Sequence, residues 1–163
     1  MELTEIIKNI HRQWLVAKEQ RRQRCEAGNL TEVAHKLAVC DMFKGSENLA
    51  DITALFTTAQ GLEFCLAANF PNLATFRLFK PYKPEQYGFY IDAGQITLRN
   101  PKTAVLIGRT FATIKCDTCE SHEVVAMHGA TAAVFADKWA VVHIQSGVGS
   151  SIVRRTTGNA IIL

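Results

Sequence analysis

The chain has 163 residues, 48% of them apolar and 20% charged, which excludes a disordered or low-complexity protein and suits one domain or two small ones. Eighteen Lys and Arg against fifteen Asp and Glu leave a formal charge of +3, too little to argue for nucleic acid on charge alone. No apolar run reaches the roughly 18 residues that a membrane span needs, and the N-terminal MELTEIIKNIHRQW carries charge where a secretory signal would be apolar. The expectation is a cytoplasmic protein whose five cysteines, an odd number, are reduced thiols.

In chain order, the first half reads as helical. In LTEIIKNIHRQWLVAKEQRRQRCEAG, Leu3, Ile7, Ile10, Trp14 and Ala17 fall three or four apart, with Ile6 beside them. That is one apolar stripe at helical spacing, and Gly28 is the expected left-handed stop. A second helix follows, with Asn29 and Glu32 at capping-box spacing and Val33, Leu37, Cys40 and Met42 on its inner face. After the break KGSEN come a short helix through Leu49–Phe56 and a longer one opened by Thr58. Asn69–Phe70–Pro71 closes the latter, because a residue before proline avoids the helical region, and Asn72 caps a last turn or two.

Beyond the two-proline loop KPYKPEQYG the hydrophobic period changes from 3.6 to 2. Turn residues recur every eight to twelve positions, from Gly94 and Asn100 through Gly108, Asp117, Gly129, Asp137, Gly147 and Gly158, the spacing of short strands in an all-β unit. The alternating positions mix small and branched residues: Ala112/Ile114, Ala132/Val134/Ala136, Ala140/Val142/Ile144, Ala160/Ile162. A sandwich core wants bulky residues across a gap of about 10 Å, whereas small residues beside Val and Ile suit a narrow interior of coils stacked about 4.8 Å apart. The expected fold is α+β, with N-terminal helices (residues 1–80) capping a short C-terminal parallel β-helix of three or four coils (residues 89–163). Residues 81–88 are the connecting loop, and the whole packs as one unit. The alternative is an antiparallel β-sandwich or roll.

The ends of a solenoid expose core and unpaired backbone, so they need cover. Trp14, Phe56 and Phe64 are candidate lids at the front. At the back, Ile161, Ile162 and Leu163 either pair inside the last coil or meet another subunit, which raises self-association into a homo-oligomer as an expectation.

TAQGLEFCLAANFPNLATFRLF, then YGFYIDAGQITLRNPKTAVLIGRTFATI, then HEVVAMHGATAAVFADKWAVV resemble small uncharacterised proteins of Bacteroides-type gut bacteria and their mobile elements, over about residues 57–163. The resemblance implies a bacterial, intracellular setting and carries no catalytic residues.

Two clusters carry chemistry. Cys116 and Cys119 form a CxxC with His122 close behind and His128 as a further ligand, a set able to bind zinc, although a structural zinc site ordinarily pairs two such knuckles. The plainer alternative is a turn between strands, with no cofactor. Lys18, Arg21, Arg22 and Arg24 form a basic run that is either a solvated helix end or a contact for nucleic acid or an acidic partner. Tyr82, Tyr87 and Tyr90 flank the proline loop as packing residues, and SGVGSS reads as a solvent turn, since it lacks a P-loop's Lys and following helix. With a well-specified apolar pattern and no catalytic constellation, the favoured expectation is a non-enzymatic binding or scaffold protein displaying a solenoid surface to a protein partner. The alternatives are a nucleic-acid accessory protein and a metal-binding or enzymatic protein.

Overall fold

The change of hydrophobic period after the proline loop marks a change of architecture. The structure, a computed structural model describing all residues Met1–Leu163, divides into a helical unit, Met1–Phe79, and a β unit, Lys80–Leu163. The class is α+β: N-terminal helices followed by a parallel β-solenoid, not a sandwich. The proline loop belongs to the β unit as two 3-10 turns, Lys80–Tyr82 and Pro84–Tyr87.

The helical unit contains α1 (Leu3–Ala27), α2 (Thr31–Val39), α3 (Leu49–Phe56), α4 (Ala59–Ala67) and α5 (Leu73–Arg77). Ile6, Ile7, Ile10, Trp14 and Ala17 are the buried stripe of α1, as their spacing requires. Trp14, Phe56 and Phe64 join a cluster of rings centred on Phe43, which lies in the segment after α2. Phe43 stands 5.7 Å from Trp14, 5.6 Å from Phe56 and 5.4 Å from Phe70, in tilted or edge-on arrangements that aromatic quadrupoles favour. Three helices start on side chains that accept backbone N–H groups: Asn48 from Asp51, Thr58 from Gly61 and Asn72 from Thr75. Gln13 ties α1 to the last of these caps, donating to Thr75 Oγ1 at 2.7 Å and accepting from the Asn72 N–H at 3.1 Å.

Three local expectations are corrected. The left-handed residue ending α1 is Asn29, with φ 60°, while Gly28 is not left-handed, with φ −88°. Asn tolerates that conformation because its short polar side chain can bond locally. Having taken that role, Asn29 cannot also cap α2, whose N-cap is Leu30 and has no side-chain cap bond. On α2 only Ala34 is buried, so Val33 and Leu37 do not form a core face.

The solenoid is built from β1 (Phe89–Ile91), β2 (Gly94–Arg99), β3 (Thr103–Ile107), β4 (Thr110–Cys116), β5 (Ser121–Met127), β6 (Thr131–Ala136), β7 (Val141–Ser146), β8 (Ser151–Thr156) and β9 (Ile161–Ile162). Odd strands form one sheet, β1-β3-β5-β7-β9, and even strands the other, β2-β4-β6-β8. Every pairing is parallel. Each coil therefore takes one strand from each sheet, giving about four coils. Strands β5 to β9 begin at Ser121, Thr131, Val141, Ser151 and Ile161, a ten-residue half-coil in which alternate strands stack. The first coil is tighter, with Phe89 opposite Val105 and Gly94 opposite Thr110.

Parallel register turns each inward position into a column. One runs Ile96, Ala112, Ala132, Ile152; its neighbour runs Leu98, Ile114, Val134, Arg154; across the interior lie Tyr90, Leu106, Ala126, Ser146. The columns are apolar through the third coil; in the fourth some stay apolar, as at Ile152 and Ile144, whereas Ser146, Arg154 and, above Cys116 and Ala136, Thr156 are polar. The tail pairs within the solenoid: Ile161 and Leu163 donate to Ala140 and Val142 carbonyls at 3.0 and 2.8 Å, and the Leu163 carbonyl accepts from Ile144 at 3.1 Å.

Turn geometry also repeats every twenty residues. Lys138 and Gly158 both have φ 60°, and Gly108 (φ 67°) matches His128 (φ 56°) one coil later. A side chain in this region costs roughly 1–2 kcal/mol, against about 0.5–1 kcal/mol for the extra chain entropy of glycine. Lys138→Gly is therefore expected to raise stability by up to about 1 kcal/mol, and Lys138→Val to lower it by at least about 1 kcal/mol, read by urea denaturation. Equal stability of the two variants would contradict the repeated turn.

Candidate functional site

Cys116, Cys119 and His122 sit at the corner between β4 and β5, where a polar ladder holds the turns together, while His128 lies at the other corner, after β5. Asn100 Nδ2 donates to Asp117 Oδ1 at 2.7 Å, and Asn100 Oδ1 accepts the Asp117 backbone N–H at 2.8 Å. Arg99 reaches the other Asp117 oxygen at 2.7 Å. One coil on, Asp137 Oδ1 accepts the Lys138 N–H at 2.6 Å. The Asn100 amide, then Arg99, hold the Asp117 carboxyl below the usual range, and the Lys138 N–H and the Thr157 side chain do the same for Asp137.

The proposed zinc ligands are therefore separated. Cys116 points into the solenoid interior and is buried, whereas Cys119 is exposed in the turn. His122 is buried, with Nδ1 2.8 Å from the Pro101 carbonyl and Nε2 3.3 Å from Thr118 Oγ1. A carbonyl can only accept, so Nδ1 carries the proton and the imidazole bridges two turns. His128 occupies the left-handed turn position that Gly108 holds one coil earlier. No group of three or more His, Cys, Asp or Glu side chains is placed to hold a metal ion. The zinc expectation is thus corrected. Strand alternation sends Cys116 inward and leaves Cys119 on the turn outside, and spacing along the chain does not show that division.

The basic run on α1 is also divided. Lys18 Nζ lies 4.6 Å from the centre of the Trp14 ring and donates to the Cys40 carbonyl at 2.9 Å. Arg22 is clamped by Glu19, at 2.6 and 2.8 Å, and by Glu26. Hydrogen bonds from Arg22 and then Gln23 hold the Glu19 carboxyl down at about 2. Arg21 pairs with Glu63 of α4 at 2.9 Å. Arg24 has no ion-pair partner. Both Arg21 and Arg24 line a cavity of about 520 Å³ between α1, α2 and α4, together with Lys36 and the apolar side chains of Leu30, Val33 and Phe64. Three of the four cations are thus held by internal partners, and Arg21 and Arg24 border a cavity that the sequence pattern did not reveal.

A third feature is the outward face of β2-β4-β6-β8. Its columns run Gln95, Phe111, Thr131, Ser151, then Thr97, Thr113, Ala133, Val153, then Arg99, Lys115, Phe135, Arg155. Phe111 is 49% exposed, Phe135 42% and Val153 61%. Three outward positions are cationic and none is acidic. A shallow depression of about 640 Å³ lies over its middle, between Phe111 and Val153.

Two outcomes follow at the corner. The Asp117 and Asp137 carboxyls have lowered folded-state values, so their stabilisation is present above the unfolded value, about 4, and is lost as pH falls through their folded values. Asp117→Asn is expected to flatten the acid limb of stability between pH 5 and pH 2, measured by urea midpoints; an unchanged limb would exclude this corner as its source. Burial, with Asp117 adding, pushes the Cys116 thiol up to about 11, and burial pushes Cys65 up to about 12. Iodoacetamide at pH 8 is therefore expected to alkylate Cys119 in the native protein while sparing Cys65 and Cys116 until denaturant is added, as peptide mass mapping reads.

No protein family, curated protein or solved structure matches this chain.

Proposed function

We propose that the protein is a non-enzymatic binding protein whose solenoid presents the outer face of β2-β4-β6-β8 to an acidic segment of a protein partner. The observation that carries this is the charge of that face: Arg99, Lys115 and Arg155 on outward positions, with no carboxylate among the twelve. Arg99 is occupied by Asp117, but Lys115 and Arg155 have no ion-pair partner and flank the exposed ring of Phe135 in one column. Residues Lys80–Leu163 carry nine basic and six acidic side chains, whereas Met1–Phe79 carry nine of each, so the whole excess of +3 lies in the β unit.

Half-exposed aromatic rings beside unpaired cations are the usual anchors of a recognition surface. The ladder fixes them on hydrogen-bonded strands, so they are ordered before a partner arrives and binding forfeits little side-chain freedom. The reactive residue types of the corner support the non-enzymatic reading: the His122 ring bridges two turns and Cys116 is held as a buried thiol. A nucleic-acid strand is the other occupant that a cationic, aromatic face fits, and the experiment below separates the two.

A photoreactive phenylalanine analogue placed at Phe111, with one at the fully exposed Val148 as control, is expected to yield a protein adduct in the source cells. Its cross-linked segment is expected to be acidic, and Lys115→Glu with Arg155→Glu to lower its yield at least about tenfold. An oligonucleotide adduct, a yield indifferent to charge reversal, or no adduct beyond that of the control would each overturn the assignment.

A further inference from the structure

The helical unit carries a second surface that the solenoid reading does not use. At the N-cap of α2 and along it, Leu30, Val33 and Leu37 recur at three- and four-residue spacing, the period of a buried helical stripe. Yet Leu30 is 55% and Val33 45% exposed, and the residue that α2 buries is Ala34. The stripe instead lines the cavity between α1, α2 and α4, as does Phe64 of α4. An apolar stripe left open is costly to keep wet, at about 25 cal/mol for each Å² of apolar surface.

The charges at the same cavity are not balanced. Arg21, Arg24 and Lys36 line it together with a single carboxylate, Glu63. Arg21 satisfies Glu63 at 2.9 Å. Arg24 and Lys36 remain without an ion-pair partner. Arg24 also lies in the last turn of α1 and Lys36 in the last turn of α2. The cavity thus offers apolar walls for a hydrocarbon and two cations without an ion-pair partner for a negative head. Its volume of about 520 Å³ lies in the range of small-molecule sites, roughly 300–1,000 Å³, and is too small for a folded partner.

We propose that this cavity binds a single-chain anionic amphiphile of the fatty-acid class. The tail lies against Leu30, Val33, Leu37 and Phe64, and the carboxylate is held by Arg24 and Lys36. Arginine suits that role because its planar donors match a carboxylate's two oxygens.

Calorimetric titration of the full chain with decanoate, decanol and decylammonium, all below micelle formation, tests the site. Decanoate is expected to saturate one site and to bind at least tenfold more tightly than decanol, with decylammonium weakest. The double variant Arg24→Glu, Lys36→Glu is expected to weaken decanoate at least tenfold and leave decanol unchanged, whereas Leu37→Asp weakens both. Both variants alter residues outside the buried core of the unit, and unchanged melting curves establish that they fold. Methyl NMR of Leu30, Val33 and Leu37 locates the ligand. Equal affinity for decanoate and decanol, indifference to charge reversal, methyl shifts confined to other residues, or no saturation below millimolar concentration would each overturn the proposal.

Discussion

The solenoid depends on a single steric constraint: its interior is one side chain deep from each sheet, and parallel register stacks every inward residue directly on the next. A position is then never judged alone. Ala112 lies under Ala132 and between Ile96 and Ile152, so bulk at one level is offset by its absence at another. Inserting methylenes into such a column strains every layer at once, which is the overpacking penalty of any dense core made one-dimensional. The same stacking places like turns above like turns, and it produces the Asn100–Asp117 bonds and the recurrence of left-handed turn residues every twenty positions.

This constraint explains why the solenoid was legible in the sequence. Small and branched residues alternate because one column must be narrow where its neighbour is wide, and the alternation is visible by eye in GATAAVFADKWAVVHI. The ten-residue half-coil was harder to see. The first coil is shorter, and the markers of the repeat are dispersed: Ala130, Ala140 and Ala160 share one phase of it, but Ser150 breaks the series. The helical unit was legible in two of its caps, because Thr58 and Asn72 act locally, but not at Gly28 and Asn29. It was not legible in Phe43, which lies in irregular chain where no period identifies a core residue, nor on α2, where an apolar stripe at core spacing borders a cavity instead. Periodicity reports that a face is apolar; it does not report what covers it.

The chemistry-bearing residues were only partly legible for a related reason. Cys116, Cys119, His122 and His128 are close in sequence, but strand alternation and the turn divide them between interior, solvent and backbone. The α1 cations looked like one patch, yet Arg22 meets Glu19 and Glu26 a turn away on either side, and Lys18 folds back over Trp14. Counting charges along a chain overstates what is left to meet a ligand. Among the cations left without an ion pair are Arg24 and Lys36 at the helical cavity and Lys115 and Arg155 on the sheet.

The fourth coil carries a consequence for growth of the stack. Arg154 occupies the column of Leu98, Ile114 and Val134, and Ser146 and Thr156 take places that Ala126 and Ala136 fill one coil earlier. Any layer laid over that coil, whether more of the same winding or the matching end of another molecule, would have to strip water from a guanidinium and two hydroxyls. The penalty for burying such a charge unpaired amounts to several kcal/mol. Hydrophobic Ile161, Ile162 and Leu163 therefore lie beside polar positions whose burial under a further layer is disfavoured.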